Sequence, residues 1–302
     1  MIDTKVKIAG VEFANPLIAA SGTFGFGREY AQLFKLSELG GIALKGLTLE
    51  KRNGNEPIRI AETASGILNS VGLQNPGIKE FLQNELPFLQ TAKTKIIANI
   101  NGNTPEEYCA LAELLNVPGI DMLELNVSCP NVKKGGMALG VTPKSIEDVT
   151  RQVKMHAKKP LIVKLSPNVT NIKNNALAAQ QGGADAISVI NSLLGMAIDA
   201  KTFKPVLNNV TGGLSGPAIK PIALRMVYEC AKAVKIPVFG IGGISTGTDV
   251  AEFLLAGASA VQIGSANLSD PFAMLRIKAE FENYLTEMKI NDIKSLVGRL
   301  EI

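Results

Sequence analysis

The chain has 302 residues, with 31 Lys and Arg against 27 Asp and Glu, and 46% of its residues are hydrophobic. This composition is typical of a folded globular protein and argues against intrinsic disorder. A net charge of +4 and an aromatic content of 5% do not favour a nucleic-acid-binding protein. Because no linker, repeat or low-complexity segment interrupts the sequence, we predict a single domain over residues 1–302.

Three cysteines and one histidine restrict the possible chemistry. Cys109, Cys129 and Cys230 are widely spaced and odd in number, which excludes a disulfide framework and a Cys-x-x-Cys zinc site. Any histidine-based triad or proton relay would have to use His156. The sequence has no apolar run of about 18 residues and no apolar signal-peptide core at its start. We therefore expect a cytoplasmic protein that has no metal site and does not contact a membrane.

Eight short apolar runs predict strands that are buried on both faces, as in a parallel sheet. They cover residues 17–20, 42–45, 95–100, 122–126, 161–165, 186–190, 237–241 and 260–264. Helical patterns between them cover residues 104–115, 143–157, 171–181, 217–234 and 246–256. Eight strands alternating with helices over about 250 residues predict an α/β fold, the (β/α)8 TIM barrel. An open doubly wound sheet shares this local pattern, but no Gly-x-Gly-x-x-Gly motif follows the first strand.

Two segments, residues 46–73 and 193–214, are too long for simple connections. Long loops in compact domains are usually lids or binding loops. They follow the second and sixth predicted strands, so we expect inserted loops at the C-terminal face, where barrel active sites form.

Polar side chains and glycines end the predicted strands. These residues are Ser21, Gly22, Lys45, Gly46, Asn99, Asn126, Lys164, Asn191, Ser192, Gly242, Gly243, Gly264 and Ser265. Burying Lys or Asn without partners costs several kcal/mol, so a ring of them at one face predicts a site for a polar ligand. The glycines after the seventh and eighth strands occupy the place where barrels commonly bind phosphate.

The two strand-end lysines, Lys45 and Lys164, suit a carboxylate or a flavin, whose reduced form is negatively charged. The alternative is a Schiff-base lysine in a non-redox, phosphate-binding lyase or isomerase. The carboxamides of Asn69, Asn126 and Asn191 offer donors and acceptors to a ring that carries both N–H and C=O groups.

The three cysteines lie in different contexts. Cys129 is in the polar segment Asn-Val-Ser-Cys-Pro-Asn beyond the fourth strand, where a thiol can act as a general base if its surroundings lower its pKa. Cys109 and Cys230 lie in helical patterns and are predicted to be buried. His156 lies at the end of a helix that leads into the fifth strand, so we expect it at the opposite end of the barrel from the site.

Six motifs occur in order between about residue 5 and residue 285. They are Ser-Gly-Thr-Phe-Gly-Phe-Gly at 21–27, Lys-Gly-Leu-Thr-Leu-Glu at 45–50, Leu-Asn-Ser-Val-Gly-Leu-Gln-Asn-Pro-Gly at 68–77, Glu-Leu-Asn-Val-Ser-Cys-Pro-Asn at 124–131, Asn-Val-Thr-Gly-Gly-Leu-Ser-Gly-Pro-Ala-Ile-Lys-Pro at 209–221 and Gly-Ile-Gly-Gly-Ile at 240–244. Together they resemble class 1 of the dihydroorotate dehydrogenase family. One departure is Thr-Ala-Ser-Gly at 63–66, where the family pattern has a Pro-Gly-Gly-like run.

The resemblance implies an FMN enzyme that oxidises (S)-dihydroorotate to orotate in pyrimidine (UMP) biosynthesis. Cys129 would remove the C5 proton, and the C6 hydride would pass to flavin N5; class 2 members carry serine at this position and a membrane-associated N-terminal extension. The implied substrate contacts are Lys45, Asn69, Ser70, Val71, Gly72, Leu73, Asn126, Asn191 and Ser192. The implied FMN contacts are Ser21, Lys45, Gly46, Asn99, Asn126, Lys164, Ile190, Gly216, Gly242, Gly243, Gly264 and Ser265.

Two segments, residues 21–30 and 162–169, resemble the NAD-linked 1B type within this class. That type pairs the FMN-containing catalytic subunit with a second subunit that carries FAD and a [2Fe–2S] cluster, in a heterotetramer of two copies of each. A [2Fe–2S] cluster needs four ligands, normally cysteines, so three cysteines place it on the partner. The alternative is the 1A type, a homodimer that uses fumarate.

Overall fold

The structure is a computed structural model that describes residues 2–127 and 140–302. Eight parallel strands form a closed barrel in this part of the chain. We label them β1 (Leu17–Ala19), β2 (Gly41–Ala43), β3 (Lys95–Ile100), β4 (Met122–Asn126), β5 (Leu161–Leu165), β6 (Ala186–Val189), β7 (Val238–Ile241) and β8 (Ala260–Ile263). Pairing of β8 with β1, in the register Val261 with Leu17, closes the sheet. The predicted TIM barrel is therefore confirmed over the open sheet.

Helices surround the barrel. The longer ones are Pro105–Leu114, Pro143–His156, Ile172–Gln181, Lys220–Ala233, Gly247–Leu255 and Ala273–Glu287. Shorter helical segments after the first two strands are Arg28–Ala31, Ile78–Glu80, Phe81–Glu85 and Leu86–Leu89. The predicted helix over residues 217–234 begins instead with a 3-10 turn, Pro217–Ile219. Across the described ranges, no helix has the length and apolar character needed to cross a bilayer.

Side chains on helix caps explain several helix starts. Thr104 accepts a hydrogen bond from the backbone N–H of Glu107, and Pro105 takes the first helical position. Asn171 accepts bonds from the N–H groups of Lys173 and Asn174. These caps satisfy N–H groups that would otherwise lack partners at the helix start.

A hairpin that the sequence analysis did not predict covers the amino end of the barrel. Its strands are Val6–Ile8 and Val11–Phe13. Phe13 is fully buried and meets Phe239 of β7 edge-on, with 6.3 Å between the ring centroids. The hairpin therefore closes the end of the barrel opposite the predicted site.

The two long insertions pair with each other instead of remaining separate loops. They form a four-stranded antiparallel sheet in the order Leu193–Met196, Thr211–Ser215, Gly66–Asn69 and Ile60–Thr63. A two-stranded ladder, Ile198–Asp199 with Lys204–Pro205, lies within the second insertion. The insertions leave the barrel after β2 and β6, and we call their four-stranded part the cap sheet.

Candidate active site

A cavity lies between the carboxyl ends of the barrel strands and the cap sheet. It encloses about 1260 Å³, including the part that is open to solvent. Residues at the carboxyl end of each of the eight strands line it, together with residues of both insertions. The predicted site residues in its wall are Ser21, Lys45, Gly46, Asn69, Val71, Gly72, Leu73, Asn99, Asn126, Lys164, Ile190, Asn191, Ser192, Gly242, Gly243, Gly264 and Ser265.

Two predicted site residues within the described ranges, Ser70 and Gly216, are not in this wall. Ser70 is fully buried, and its hydroxyl oxygen accepts a hydrogen bond from Asn55 Nδ2 at 3.1 Å. Its neighbours on either side face the cavity, because successive side chains alternate in an extended chain. Gly216 precedes the turn Pro217–Ile219, between the wall residues Ser215 and Ile219. Cys129 lies outside the residues that the structure describes.

A buried carboxylate lies beneath the cavity. Glu124 comes two residues before Asn126 in β4, so its side chain points to the same side of the strand, one layer deeper. It is fully buried and accepts hydrogen bonds from Asn99 Nδ2 at 2.6 Å, Ser188 Oγ at 2.8 Å and Gln262 Nε2 at 2.7 Å. Three strands, β3, β6 and β8, are thereby joined to β4 through one side chain.

The Lys164 ammonium extends this network to the cavity. Its side chain is only 6% exposed, and Nζ lies 3.8 Å from Glu124 Oε2. A buried cation needs such a partner, because removing it from water without one is costly. Lys164 is predicted from its place at a strand end. Glu124 is not, although a charged residue inside an apolar strand is a signal for it.

Glycines allow the backbone to approach closely at two corners of the cavity. A Cβ at Gly46 would collide with the amide of Asn101, which donates to Asn99 Oδ1 at 2.8 Å. Gly243 has a φ of +73°, and a Cβ there would lie 2.8 Å from both Gly216 O and the backbone nitrogen of Lys220. A side chain at either position would therefore disturb the cavity wall.

The turn after β7 is held from behind by Asp249. Its carboxylate accepts bonds from the N–H groups of Ser245 at 2.8 Å and Thr246 at 2.9 Å, and from Lys220 Nζ at 2.6 Å. Burial raises the pKa of Asp249, but the bonds from Lys220 and the backbone outweigh burial and hold the pKa below its ordinary value. Asp249 therefore fixes the glycine turn to the helices behind it.

The remaining histidine and cysteine predictions concern residues away from the cavity. His156 is at the end of the helix Pro143–His156, with Nδ1 2.6 Å from Glu113 Oε1. Cys230 is buried as predicted, and burial raises its pKa to about 12. Cys109 is only half-buried, because it lies beside the buried face of its helix, which carries Tyr108.

Several apolar side chains in the cavity wall are not predicted from the sequence, because polar strand ends do not point to them. They are Ile60, Ile67, Ile219, Ile241, Ile244 and Leu268. Apolar side chains beside amides and lysines suit a flat ring with polar edges.

Comparison with known proteins gives one family. A sequence profile described as dihydroorotate dehydrogenase matches residues 3–285. The chain is 55% identical over 301 residues to "Dihydroorotate dehydrogenase B (NAD(+)), catalytic subunit" of Caldicellulosiruptor saccharolyticus, with 100% of each chain covered. It is 54% identical over 301 residues to the protein of the same name from Geobacter metallireducens, with 99% of each chain covered.

A solved structure is similar in fold. The crystal structure of DHODH in complex with ferulenol from Eimeria tenella superposes with a TM-score of 0.83, over 98% of this chain and 88% of that chain. The sequence identity of 21% is low, so this likeness supports the fold alone.

Proposed function

Because the chain belongs to the dihydroorotate dehydrogenase family, we propose that it oxidises (S)-dihydroorotate to orotate in pyrimidine biosynthesis, with FMN bound in the cavity. The observation that carries the proposal is the cavity itself. It combines amides, two lysines and a glycine turn at the carboxyl ends of the barrel strands. These groups match a substrate and a cofactor that are both flat, polar-edged and anionic.

The cavity wall fits FMN at two places. Gly242 and Gly243 have no side chains, so a ligand can approach the backbone of their turn, which lies beside the start of the turn Pro217–Ile219. This arrangement suits a phosphate group. Lys164 and Asn99, held by Glu124, offer a cation and an amide to the ring system. When bound, FMN would supply the acceptor for the hydride from C6 of dihydroorotate.

This chain's own residues bind and orient the substrate. The Asn69 side chain is fixed by a hydrogen bond from its Nδ2 to Gly213 O of the cap sheet, at 3.2 Å. Asn191 Oδ1 accepts from the backbone N–H of Ser192 at 2.7 Å, which fixes that amide at the end of β6. Amides fixed in this way can hold the ring and the carboxylate of the substrate in one orientation. Holding the substrate in a reactive orientation accelerates the reaction.

We assign the general base to Cys129 on the resemblance of its segment to the class 1 motif. In this proposal the thiolate removes the proton from C5, while the hydride leaves from C6, so the substrate loses two hydrogens and becomes orotate. Loss of a general base typically lowers turnover by about 10²–10⁴-fold.

The proposed electron path leaves this chain through a second subunit. The relatives from C. saccharolyticus and G. metallireducens are named catalytic subunits of an NAD(+)-linked enzyme, which supports a separate partner. A [2Fe–2S] cluster needs four ligands, normally cysteines, and this chain has three cysteines. We therefore propose a partner that carries FAD and the cluster, in a heterotetramer of two copies of each subunit.

The test uses purified protein with and without the partner subunit. We expect a yellow protein that releases FMN on denaturation and that oxidises dihydroorotate with NAD⁺ only when the partner is added. Cys129→Ala should keep FMN and orotate binding but lose turnover by about 10²–10⁴-fold. Wild-type turnover in this variant would overturn the assignment of the base.

Two other outcomes would contradict larger parts of the proposal. Oxidation of dihydroorotate with fumarate by this chain alone would indicate the 1A type. A colourless protein that binds no added FMN would contradict the flavin site and favour a non-redox barrel that uses Lys45 or Lys164.

A further inference from the structure

We propose that Glu124 is a positioning residue of the cofactor site: its carboxylate orients the Asn99 amide and holds the Lys164 ammonium, and its charge keeps the reduction potential of bound FMN low. The inference rests on the proposed FMN site and adds a residue that does not itself line the cavity. Glu124 would act on the cofactor without touching it, through its two neighbours in the wall and through the field of its own charge.

The orientation of the Asn99 amide follows from the chemistry of the carboxylate. An ionised carboxylate only accepts hydrogen bonds, so Asn99 must direct Nδ2 toward Glu124, at 2.6 Å. Asn99 Oδ1 is then left to accept from Asn101 Nδ2, at 2.8 Å. The charge on Glu124 thus determines the orientation of the Asn99 side-chain amide in the cavity wall.

The field at the cavity floor follows from the ion pair. Lys164 Nζ is 3.8 Å from Glu124 Oε2, and both side chains are almost fully buried, so the carboxylate cancels part of the positive potential at the cavity. Reduction adds negative charge to a flavin ring. Removing the carboxylate charge leaves Lys164 as an uncompensated cation, which stabilises the reduced form and raises the potential.

Glu124→Gln is the variant that tests this charge effect, because the network can adapt to it. If the carboxamide introduced by Glu124→Gln donates to Asn99, then Asn99 and in turn Asn101 have to turn over. Within the described part of the chain, Asn101 Oδ1 has no hydrogen-bond partner, so it is able to accept from Asn99 after turning. The substitution therefore removes one charge without removing the side chain.

The experiment measures the midpoint potential of bound FMN in the holoprotein by spectroscopic redox titration. We expect the potential to rise in Glu124→Gln and to rise less in Glu124→Asp, which keeps the charge but withdraws it from Lys164 by one methylene. Ser188→Ala is the matched control, because it removes one hydrogen bond to Glu124 at 2.8 Å without changing charge, and its potential should equal that of the wild type.

Three results would overturn the inference. One is an unchanged or lower potential in Glu124→Gln, and another is an equal shift in Ser188→Ala. If Glu124→Gln does not retain FMN, the Glu124→Asp variant decides, and a potential at or below the wild-type value refutes the role. In each case a yellow wild-type protein that oxidises dihydroorotate leaves the proposed function standing, whereas a wild-type protein without FMN refutes both.

Discussion

At the residue scale, a single methyl group at Gly243 tests the proposed phosphate site. We expect Gly243→Ala to weaken FMN binding by at least about tenfold, or about 1.4 kcal/mol. The added Cβ would lie 2.8 Å from the backbone nitrogen of Lys220 and from Gly216 O, so the turn has to move. Titration of FMN into apoprotein, followed by flavin fluorescence, measures the change.

The matched control for backbone strain is Gly10→Ala in the amino-terminal hairpin. Gly10 has a φ of +85°, but a Cβ there would meet nothing within 4 Å. Gly10→Ala therefore places an alanine in a left-handed backbone conformation, which costs roughly 1–2 kcal/mol, without a steric clash. Both variants should lose stability, and only Gly243→Ala should lose FMN affinity. Equal FMN affinity in the two variants would contradict a phosphate site at this turn.

Which residues could be recognised from sequence depended on their position in a strand. Lys164 and Asn99 lie next to last in strands that are visible as apolar runs, so their place near a strand end is predictable. Glu124 lies within its strand, and its three hydrogen-bond donors lie 25, 64 and 138 residues away along the chain. Ser70 was selected with its neighbours, but the direction of its side chain depends on the cap sheet, whose strand pairing could not be derived from sequence.

At the element scale, the start of the helix Gly247–Leu255 depends on the Asp249 carboxylate. Asp249 and Thr246 form a capping box, and Asp249 also accepts from Lys220. We expect Asp249→Asn to lower the free energy of unfolding near neutral pH by about 0.5–2 kcal/mol, the usual range for loss of a cap. Urea unfolding of the FMN-loaded protein measures the difference.

The same variant has a defined pH dependence. The folded-state pKa of Asp249 is lower than its ordinary value, so its charge stabilises the fold above the unfolded-state pKa of about 3.9. That contribution is lost as pH falls through the lower, folded-state pKa. The difference between wild type and Asp249→Asn should therefore shrink in acid. Glu252→Gln, which removes a more exposed partner of Lys220, is the control and should cost about 0–1 kcal/mol. A difference that grows in acid would contradict the role of the Asp249 charge.

Elements were predictable where one local pattern sufficed. The eight barrel strands are buried on both faces and appear as continuous apolar runs, so all eight were found. The cap sheet was not, because its strand Thr211–Ser215 is glycine-rich and pairs with Gly66–Asn69, far away in the chain. The strands of the amino-terminal hairpin, three residues each, are too short to show a period.

At the scale of the whole molecule, the barrel and the proposed cofactor site are one structure, because residues at the carboxyl ends of all eight strands contribute to the cavity. The hairpin that contains Phe13 closes the opposite end of the barrel. The barrel strands therefore lie between the hairpin and the cavity. Only the complete barrel brings these strand ends together. We therefore expect the folded state to bind FMN and the unfolded chain not to bind it.

This coupling predicts that FMN stabilises the whole fold. At a free FMN concentration of about 100 times Kd, the free energy of unfolding should rise by about 2.7 kcal/mol. Urea unfolding of apoprotein at increasing FMN concentrations measures the rise, which should follow the logarithm of FMN concentration with an unchanged m-value. Gly10→Ala should show the same rise from a lower starting stability, whereas Gly243→Ala should need at least about tenfold more FMN to reach it. If the free energy of unfolding did not depend on FMN concentration, the folded barrel would not bind FMN. That result would contradict an FMN site formed by the ends of all eight strands.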